Sequence, residues 1–340
     1  METITICGNM GVSNILIGER LENLHRYIPV SRATIITDVN VREIYNLDSL
    51  ANDVITIGTG EQIKTLETVG DIYAQLVSLK ADRSSFIVGI GGGIVCDIAG
   101  FVASTFLRGI RFGFVATSLL AQVDASVGGK NGVNYGGYKN MVGVFNHPEF
   151  VICDPDLLKT LPQRERLCGF AEIVKHAAIA DADLFAYLEQ NYKSVHALDS
   201  RVIERLVVDS ITIKSSIVNR DETERGERRI LNFGHTFGHA IEKATGVPHG
   251  EAVSRGMAIA SALSVRRGHL SAEEDRRLST LLHNLKLPTR LEFEPGRILD
   301  ALGKDKKREG NCINFVLLNK IGNAIVEKIS FEELKDAING

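Results

Sequence analysis

Phe86-Ile-Val-Gly-Ile-Gly91-Gly-Gly-Ile-Val-Cys-Asp97-Ile-Ala-Gly-Phe-Val-Ala103 is the longest apolar run of the chain. Its length could mimic a membrane span, but five glycines and Asp97 argue against one, because glycine weakens a helix and a charge in lipid is costly. The run reads instead as a buried strand over Ser85–Ile90, a glycine turn, and a helix starting near Ile94. Gly91-Gly92-Gly93 removes side chains where backbone must approach a ligand, and the positive end of the following helix points to the same place. These are the requirements of a diphosphate cradle. Gly-Gly-Gly-x-x-x-Asp is not the usual dinucleotide fingerprint, however, and a tight turn packed against a neighbour is the competing explanation.

Working outward, Ala33–Thr37 is a β-branched run ending at Asp38, and Val54–Ile57 is another ending in Gly58-Thr-Gly60-Glu61. Helical spacing over Val41–Leu50 and Ile63–Leu79 alternates with them, and Phe112–Ala116, tipped by Thr117 and Ser118, is a further strand. The alternation predicts a parallel sheet in a Rossmann-like α/β domain, with ligands at the carboxyl ends of the strands. Ala121–Gly143 is polar and glycine-dense, and reads as a loop carrying Asp124, Lys130, Asn134, Lys139 and Asn140. Lysines on such a loop suit phosphate groups, although a solvated surface lysine is commoner.

From Leu157 onward long helical patterns dominate: Arg164–Ala180, Leu184–Tyr192, Arg201–Val218, Leu231–Thr245, Glu251–Arg267 and Ala272–Leu285. A late strand over Asn311–Leu318 and a closing helix over Phe331–Ile338 complete the pattern. The expected organisation is an α/β nucleotide-binding domain over 1–153 and a mostly α-helical domain over 154–340, consistent with a chain of 340 residues, too long for one core.

Lys plus Arg total 39 against 42 Asp plus Glu, so no global basic field exists to hold nucleic acid or an anionic membrane. Any anionic ligand must be small and bound locally. The five cysteines are scattered and odd in number, without a close CxxC, which fits a reducing cytoplasm better than a disulfide framework or a thiolate metal site. The start Met-Glu-Thr lacks a secretory signal pattern.

The chemistry concentrates in Ile230–Glu251, where three of the nine histidines lie. His235 and His239 are four apart, and on a helix would share a face where two imidazoles can converge on one metal ion. Gly246, Pro248 and Gly250 are expected to end the helix and hold His249 on a turn. Neutral imidazoles suit zinc and related ions, while unrelated hydrogen-bonded histidines are the alternative. Glu172 and Lys175 are three apart on Gly-Phe-Ala-Glu-Ile-Val-Lys-His, an ion pair at least. A surface pair of that kind stabilises little, about 0.3–0.5 kcal/mol. Lys214 and Arg228, each taken alone, read as surface charges.

Taken together, several strings resemble the 3-dehydroquinate synthase family over nearly the whole chain. They are Gly91-Gly-Gly-Ile-Val-Cys-Asp97-Ile-Ala-Gly-Phe101, Leu119-Leu-Ala-Gln-Val-Asp124-Ala-Ser-Val-Gly-Gly-Lys130, Lys139-Asn140-Met, Leu161-Pro with Ala171-Glu172, and Asn232-Phe-Gly-His235-Thr-Phe-Gly-His239-Ala with His249-Gly-Glu-Ala. The resemblance implies a metal trio of Glu172, His235 and His249, holding zinc or alternatively cobalt, and makes His239 a substrate and catalytic contact rather than a ligand. It implies NAD bound by Asp38, Asn40, Glu61, Lys64, Gly92, Gly93, Asp97, Thr117, Ser118, Lys130, Lys139, Leu157 and Thr160. Substrate contacts implied are Asp124, Lys130, Asn140, Lys175, Lys214, Arg228, Asn232, His239 and either Lys306 or Lys307. Arg108 would reach into the neighbouring subunit of a homodimer.

The activity implied is conversion of 3-deoxy-arabino-heptulosonate 7-phosphate, a phosphorylated keto-acid sugar, to 3-dehydroquinate and phosphate, with NAD used and regenerated. Cys96 stands where the family often has glycine, Ser118 replaces a usual threonine, and Tyr135-Gly-Gly-Tyr138 is an unusual loop before Lys139. The rival readings are a sibling sugar phosphate cyclase of inosose or valiolone type, and a metal-dependent polyol dehydrogenase. The latter's neutral substrate would leave Lys130, Lys175 and Lys214 unexplained. Arg228 and Asn232 favour a substrate with a carboxylate.

Overall fold

The computed structural model describes residues 1–340 except Asn9, Ser31, Asn52, Phe293, 304–307, 310–311 and Gly340. The chain divides into two compact units, Met1–Pro162 and Gln163–Gly340.

The first unit runs β1 (Glu2–Gly8), β2 (Gly11–Ile17), β3 (Ala33–Asp38), α1 (Val39–Ile44), β4 (Asp53–Ile57), α2 (Leu66–Ser78), β5 (Phe86–Gly91), α3 (Gly93–Thr105), β6 (Arg111–Ala116), β7 (Lys130–Tyr135), β8 (Tyr138–Phe145) and β9 (Phe150–Cys153). Seven of these strands form one sheet in the order β1-β2-β9-β6-β5-β3-β4. Pairing is parallel from β2 to β4 and antiparallel only at the edge hairpin of β1 and β2. The β5 strand is buried along its whole length, as expected for a parallel strand covered on both faces. From β3 the chain crosses to β4 on one side and then returns to β5 on the other. That reversal is a topological switch point, and such sheets bind ligands outside the carboxyl ends of the two strands that flank it.

Three local readings need correction in this unit. The helix expected over Val41–Leu50 is the short α1, followed by a separate 3-10 turn at Leu47–Ser49. The edge hairpin of β1 and β2 had no anticipated counterpart. The supposed loop after Ala121 contains the hairpin β7–β8, closed by Gly136 and Gly137 at φ 58° and 79°. Two consecutive positive φ values demand glycine-type residues and match the turn to the twist of the strands.

The second unit comprises α4 (Gln163–Ala180), α5 (Ala182–His196), α6 (Ser200–Arg220), α7 (His235–Thr245), α8 (His249–Arg266), α9 (Ala272–Asn284), α10 (Pro295–Gly303), then β10 (Arg308–Glu309), β11 (Cys312–Lys320), β12 (Asn323–Ser330) and α11 (Phe331–Asn339). The helical expectation holds, while α10 and the partner strand β12 were not anticipated. Every residue of α4 from Cys168 to Ile179 is buried, so this helix is central rather than amphipathic. The helix expected over Leu231–Thr245 starts only at His235, because Gly234 sits in the left-handed region at φ 76°. His249 is not on a turn, as anticipated, but is the first residue of α8. No helix among the described residues is long and apolar enough to cross a membrane.

Candidate active site

In the first unit, the carboxyl ends of β3 and β5 bring Asp38 and Gly91 to the switch point. The Asp38 carboxylate caps α1 by accepting from the Val41 amide at 3.0 Å, and Asn40 is exposed in the first turn of α1. The three glycines have separate reasons to exist. A Cβ on Gly91 would lie 2.5 Å from Val95 Cγ2, and one on Gly93 would lie 2.9 Å from Ala125 Cβ. Both are demanded by packing inside the chain. A Cβ on Gly92 would meet only the Ser118 side chain, with Oγ at 3.4 Å, so Gly92 is the one of the three that leaves open space beside it. It is also the N-cap of α3 and has no side-chain cap, which leaves the positive helix end for an anion. Thr117 and Ser118 follow β6 and are buried. Ser118 Oγ accepts from the Ala121 amide at 3.2 Å, a role the usual threonine could also fill.

The β7–β8 hairpin organises a second group in this unit. The Asn134 amide donates to the Lys64 carbonyl at 2.8 Å, and the Asn134 side chain donates to Glu61 at 2.8 Å. The Asn134 side-chain oxygen accepts from the Asn140 amide at 2.9 Å. Buried Lys64 donates to Asn140 Oδ1 at 2.6 Å and pairs with Asp97. Lys139 Nζ lies 3.7 Å from Glu61. Thus Glu61, Lys64, Asp97, Lys139 and Asn140 form one polar network, with Asn134 as the tie that sequence reading placed in the loop without a role. Asp124 is half-buried and Lys130 exposed. Leu157 is buried in the core, while exposed Thr160 shares a 2.7 Å hydrogen bond with the Tyr45 hydroxyl. Arg108 is exposed on a turn where Leu107 and Arg108 both have positive φ, 50° and 70°. Cys96 is fully buried, and burial pushes its thiol up.

In the second unit, three glycine contacts set the helix positions. A Cβ on Gly250 would lie 2.3 Å from Cys168 Cα, so α8 begins directly against α4 one turn before Glu172. A Cβ on Gly256 would lie 1.9 Å from the Gly234 carbonyl oxygen, and one on Gly234 would lie 2.6 Å from Met257. These approaches seat α7 on α8 and bring His235, His249 and Glu172 together. His235 Nε2 and His249 Nε2 lie 3.6 and 3.4 Å from Glu172 Oε1. One donor atom from each of the three residues falls within 4.8 Å of the others.

The arrangement suits a metal ion on this chain's own geometry. Bonds of about 2.0–2.1 Å in a tetrahedral site separate donor atoms by about 3.4 Å. Glu172 Oε1 is a buried oxygen without a hydrogen-bond partner, a costly state unless a cation meets it. His235 Nδ1 lies 3.2 Å from the Phe233 carbonyl, and donation there leaves Nε2 as the electron-pair donor. His249 Nδ1 lies 3.5 Å from Glu242 Oε2. His239 is not part of the trio, yet its ring centroid lies 5.2 Å from that of His235 and 6.2 Å from that of His249. Burial alone would lower the His249 pKa, but the Glu172 and Glu242 carboxylates outweigh it and hold His249 at about 9. For Glu172 burial pushes upward, and Lys175, His235 and His249 together pull it well below the ordinary carboxylate range.

The supposed surface charges are buried. Lys175, 1% exposed, pairs with Glu172, which has no exposure. Lys214 and Arg228 are buried as well. Arg228 is held by a loop that carries no motif. The Asp221 carboxylate accepts from the amides of Arg225, Gly226 and Arg228 at 3.0, 2.7 and 3.0 Å, and the Arg228 guanidinium donates to the Glu222 carbonyl. Asn232 donates to the Glu224 carboxylate and to the Arg229 carbonyl at 3.2 Å. Glu242, Asp221 and Glu224 were missed. Glu242 alone had a visible signal, three residues after His239 on the same helical face. Lys306 and Lys307 lie outside the described residues.

Comparison with known proteins bears on these arrangements. The 3-dehydroquinate synthase N-terminal family model matches residues 54–168, and the 3-dehydroquinate synthase C-terminal model matches 169–308. A 3-dehydroquinate synthase of Dehalococcoides mccartyi is 42% identical over 326 residues, 93% of this chain and 91% of that one. Among solved structures, a 2-deoxy-scyllo-inosose synthase complexed with carbaglucose-6-phosphate, NAD+ and Co2+ is 28% identical with a TM-score of 0.89, covering 99% of both chains. The 2-epi-5-epi-valiolone synthase of Streptomyces hygroscopicus subsp. jinggangensis, with NAD+ and Zn2+ bound, is 27% identical with a TM-score of 0.85, covering 96% of this chain and 95% of that one. With its two family models spanning most of the sequence and a 42% identical relative covering nine-tenths of it, the chain belongs to the 3-dehydroquinate synthase family.

Proposed function

We propose that this chain is a 3-dehydroquinate synthase, an NAD- and metal-dependent carbon-oxygen lyase of the shikimate route to aromatic amino acids. It converts 3-deoxy-arabino-heptulosonate 7-phosphate to 3-dehydroquinate and inorganic phosphate. The observation that carries the reading is the buried Glu172 oxygen faced by two histidine Nε2 atoms, in a helical unit that also buries Lys175, Lys214 and Arg228. When bound, NAD supplies a reversible hydride acceptor, and the divalent metal supplies Lewis acidity toward a substrate hydroxyl.

The residues divide the remaining work by their chemistry. Gly92, Gly93 and the amino end of α3 hold diphosphate, with Thr117 and Ser118 beside them, while Asp38, Asn40, Glu61, Lys64, Asp97, Lys139, Leu157 and Thr160 complete the nucleotide contacts. Glu172, His235 and His249 hold the metal, zinc being the ion proposed and cobalt a substitute. Arg228 offers a planar fork for the substrate carboxylate, oriented with Asn232 by the loop tied to Asp221. Lys175 and Lys214 are proposed to offer point charges to anionic substrate groups, and Asp124, Lys130 and Asn140 are proposed as further substrate contacts. His239 holds or passes a proton at a substrate oxygen. The departing phosphate assists proton removal, which accounts for a set rich in cations without one dominant base. A homodimer in which exposed Arg108 serves the neighbouring subunit completes the proposal. The compartment proposed is the cytoplasm.

A sibling cyclase acting on a sugar 6-phosphate is the second reading, favoured by the inosose synthase likeness. One assay separates the two. Purified protein is given 3-deoxy-arabino-heptulosonate 7-phosphate with NAD and zinc while phosphate and NADH absorbance are followed together. Steady phosphate release without NADH accumulation, abolished by chelation, is expected. No release from this substrate, with release from a sugar 6-phosphate, would overturn the reading in favour of the sibling.

A further inference from the structure

We infer that Glu242 is a positioning residue for the metal site, presenting His249 to the ion through the far side of its ring. The inference rests on reading Glu172, His235 and His249 as metal ligands. An imidazole can offer either nitrogen, and the hydrogen bond at one decides which is left to bind. The two histidines solve this differently. His235 Nδ1 faces a neutral acceptor, the Phe233 carbonyl at 3.2 Å, whereas His249 Nδ1 faces a carboxylate, Glu242 Oε2 at 3.5 Å. A hydrogen bond to an ionised acceptor is stronger than one to a carbonyl, and the Glu242 side chain is only 12% exposed, so little solvent screens it.

The placement follows from the helices. His235, His239 and Glu242 lie at i, i+4 and i+7 on α7, one stripe of one helix face. His249 opens α8 after Pro248, which provides no side-chain cap. Glu242 therefore ties the last turn of α7 to the first residue of α8, across the short connection that separates the two histidine ligands. The carboxylate keeps the Nδ1 proton on His249, turns Nε2 toward Glu172 and raises the basicity of the ring as a donor. Glu242 needs no contact with substrate to do this.

The test is metal affinity, which does not depend on turnover. Metal-stripped wild type, Glu242→Gln, Glu242→Asp and His249→Ala are titrated with zinc against a chromophoric chelator, and the apo proteins are melted to verify folding. Removal of a carboxylate behind a ligating histidine weakens metal binding by about 10–100-fold. That loss is expected for Glu242→Gln with an unchanged apo melting temperature and a shifted visible spectrum of the cobalt form. Glu242→Asp should restore most of it, and His249→Ala should lose far more. Wild-type zinc affinity in Glu242→Gln, with His249→Ala defective, overturns the inference and leaves the metal-site reading standing. Wild-type affinity in His249→Ala overturns the metal-site reading itself. Should Glu242→Gln fail to fold, Glu242→Ala carries the test, with a loss of about 10–100-fold expected and wild-type affinity overturning the inference.

Discussion

In the first unit, the groups proposed for the nucleotide hang from the carboxyl ends of β3, β5 and β6 and from a hairpin, outside the packed sheet. In the second unit, the groups proposed for metal and substrate project from the buried middle of α4 and from the adjoining ends of α7 and α8. The difference shows in the glycines. Gly92 leaves room at a helix end, where the proposed diphosphate would lie. Gly250 and Gly256 let backbones touch, and their use is toward the fold that places the ligands. A site made of strand ends tolerates change in its loops, whereas a site set by close helix approach stands or falls with packing.

The largest effect expected from breaking this contrast is at the metal trio. Glu172→Gln or His249→Ala should lose stoichiometric zinc and lower turnover by about three orders of magnitude or more, roughly 4 kcal/mol of transition-state stabilisation. Metal analysis and phosphate release measure the two losses. Retained zinc and turnover in both variants would remove the second unit's claim to the chemistry.

Gly250→Ala should come next. Its added methyl meets the Cys168 backbone at 2.3 Å, where nothing flexible can give way, so a cost of about 1–3 kcal/mol in unfolding free energy is expected, with weakened zinc binding alongside. Denaturant unfolding and chelator competition provide the readings. Gly92→Ala is the matched change in the other unit. With only the Ser118 hydroxyl near the new methyl, unfolding should shift by less than about 1 kcal/mol while the NAD requirement rises about tenfold. An equal loss of stability in both variants would erase the distinction between a ligand glycine and a packing glycine.

Smaller still is the pH response of the metal-free protein. His249 is held at about 9, above its ordinary 6.5. Its contribution to folding is therefore full below pH 6.5 and disappears as pH rises through about 9. The apo melting temperature should fall by a few degrees across that window, and the fall should be absent in His249→Ala.

The smallest effect falls to the exposed one of two pairs with the same spacing. Glu172 and Lys175 are three apart on α4, and Glu273 and Arg276 are three apart on α9. The first pair is buried, whereas the second has side chains 68% and 70% exposed. Lys175→Met should abolish turnover and perturb the buried Glu172 it leaves behind. Arg276→Ala should change neither activity nor melting temperature measurably.

These pairs show how far sequence reading reached. The strands β3, β4, β5 and β6 announced themselves by β-branched runs ending in polar or glycine tips, because a parallel strand covered on both faces must be apolar throughout. The histidine stretch was visible as composition, and the long helices as periodicity. By spacing alone, however, Lys175 looked like the surface cation that Arg276 is, since periodicity tells which residues share a face and not what covers that face. The hairpin β7–β8 was hidden because its outer strand is exposed along most of its length and so lacks the alternation that marks a half-buried strand. Asp221 was missed because a carboxylate folded back onto the amides of its own irregular loop leaves no periodic pattern, and Glu242, although in register with His239, was missed because its partner His249 lies on another helix.

Sequence by itself determined the α/β and helical character of the two units, the glycine turn after β5 and, through its motif strings, the family. Tertiary structure alone decided that Gly91 and Gly93 serve packing while Gly92 is open, that His249 begins a helix, and that Lys175, Lys214 and Arg228 are buried. The physical reason is that local propensity depends on neighbours a few residues away. Burial, helix approach and the pairing of Glu172 with His235 and His249 depend on which distant backbones can touch, and in this chain that is settled at Gly250 against Cys168 and Gly256 against Gly234.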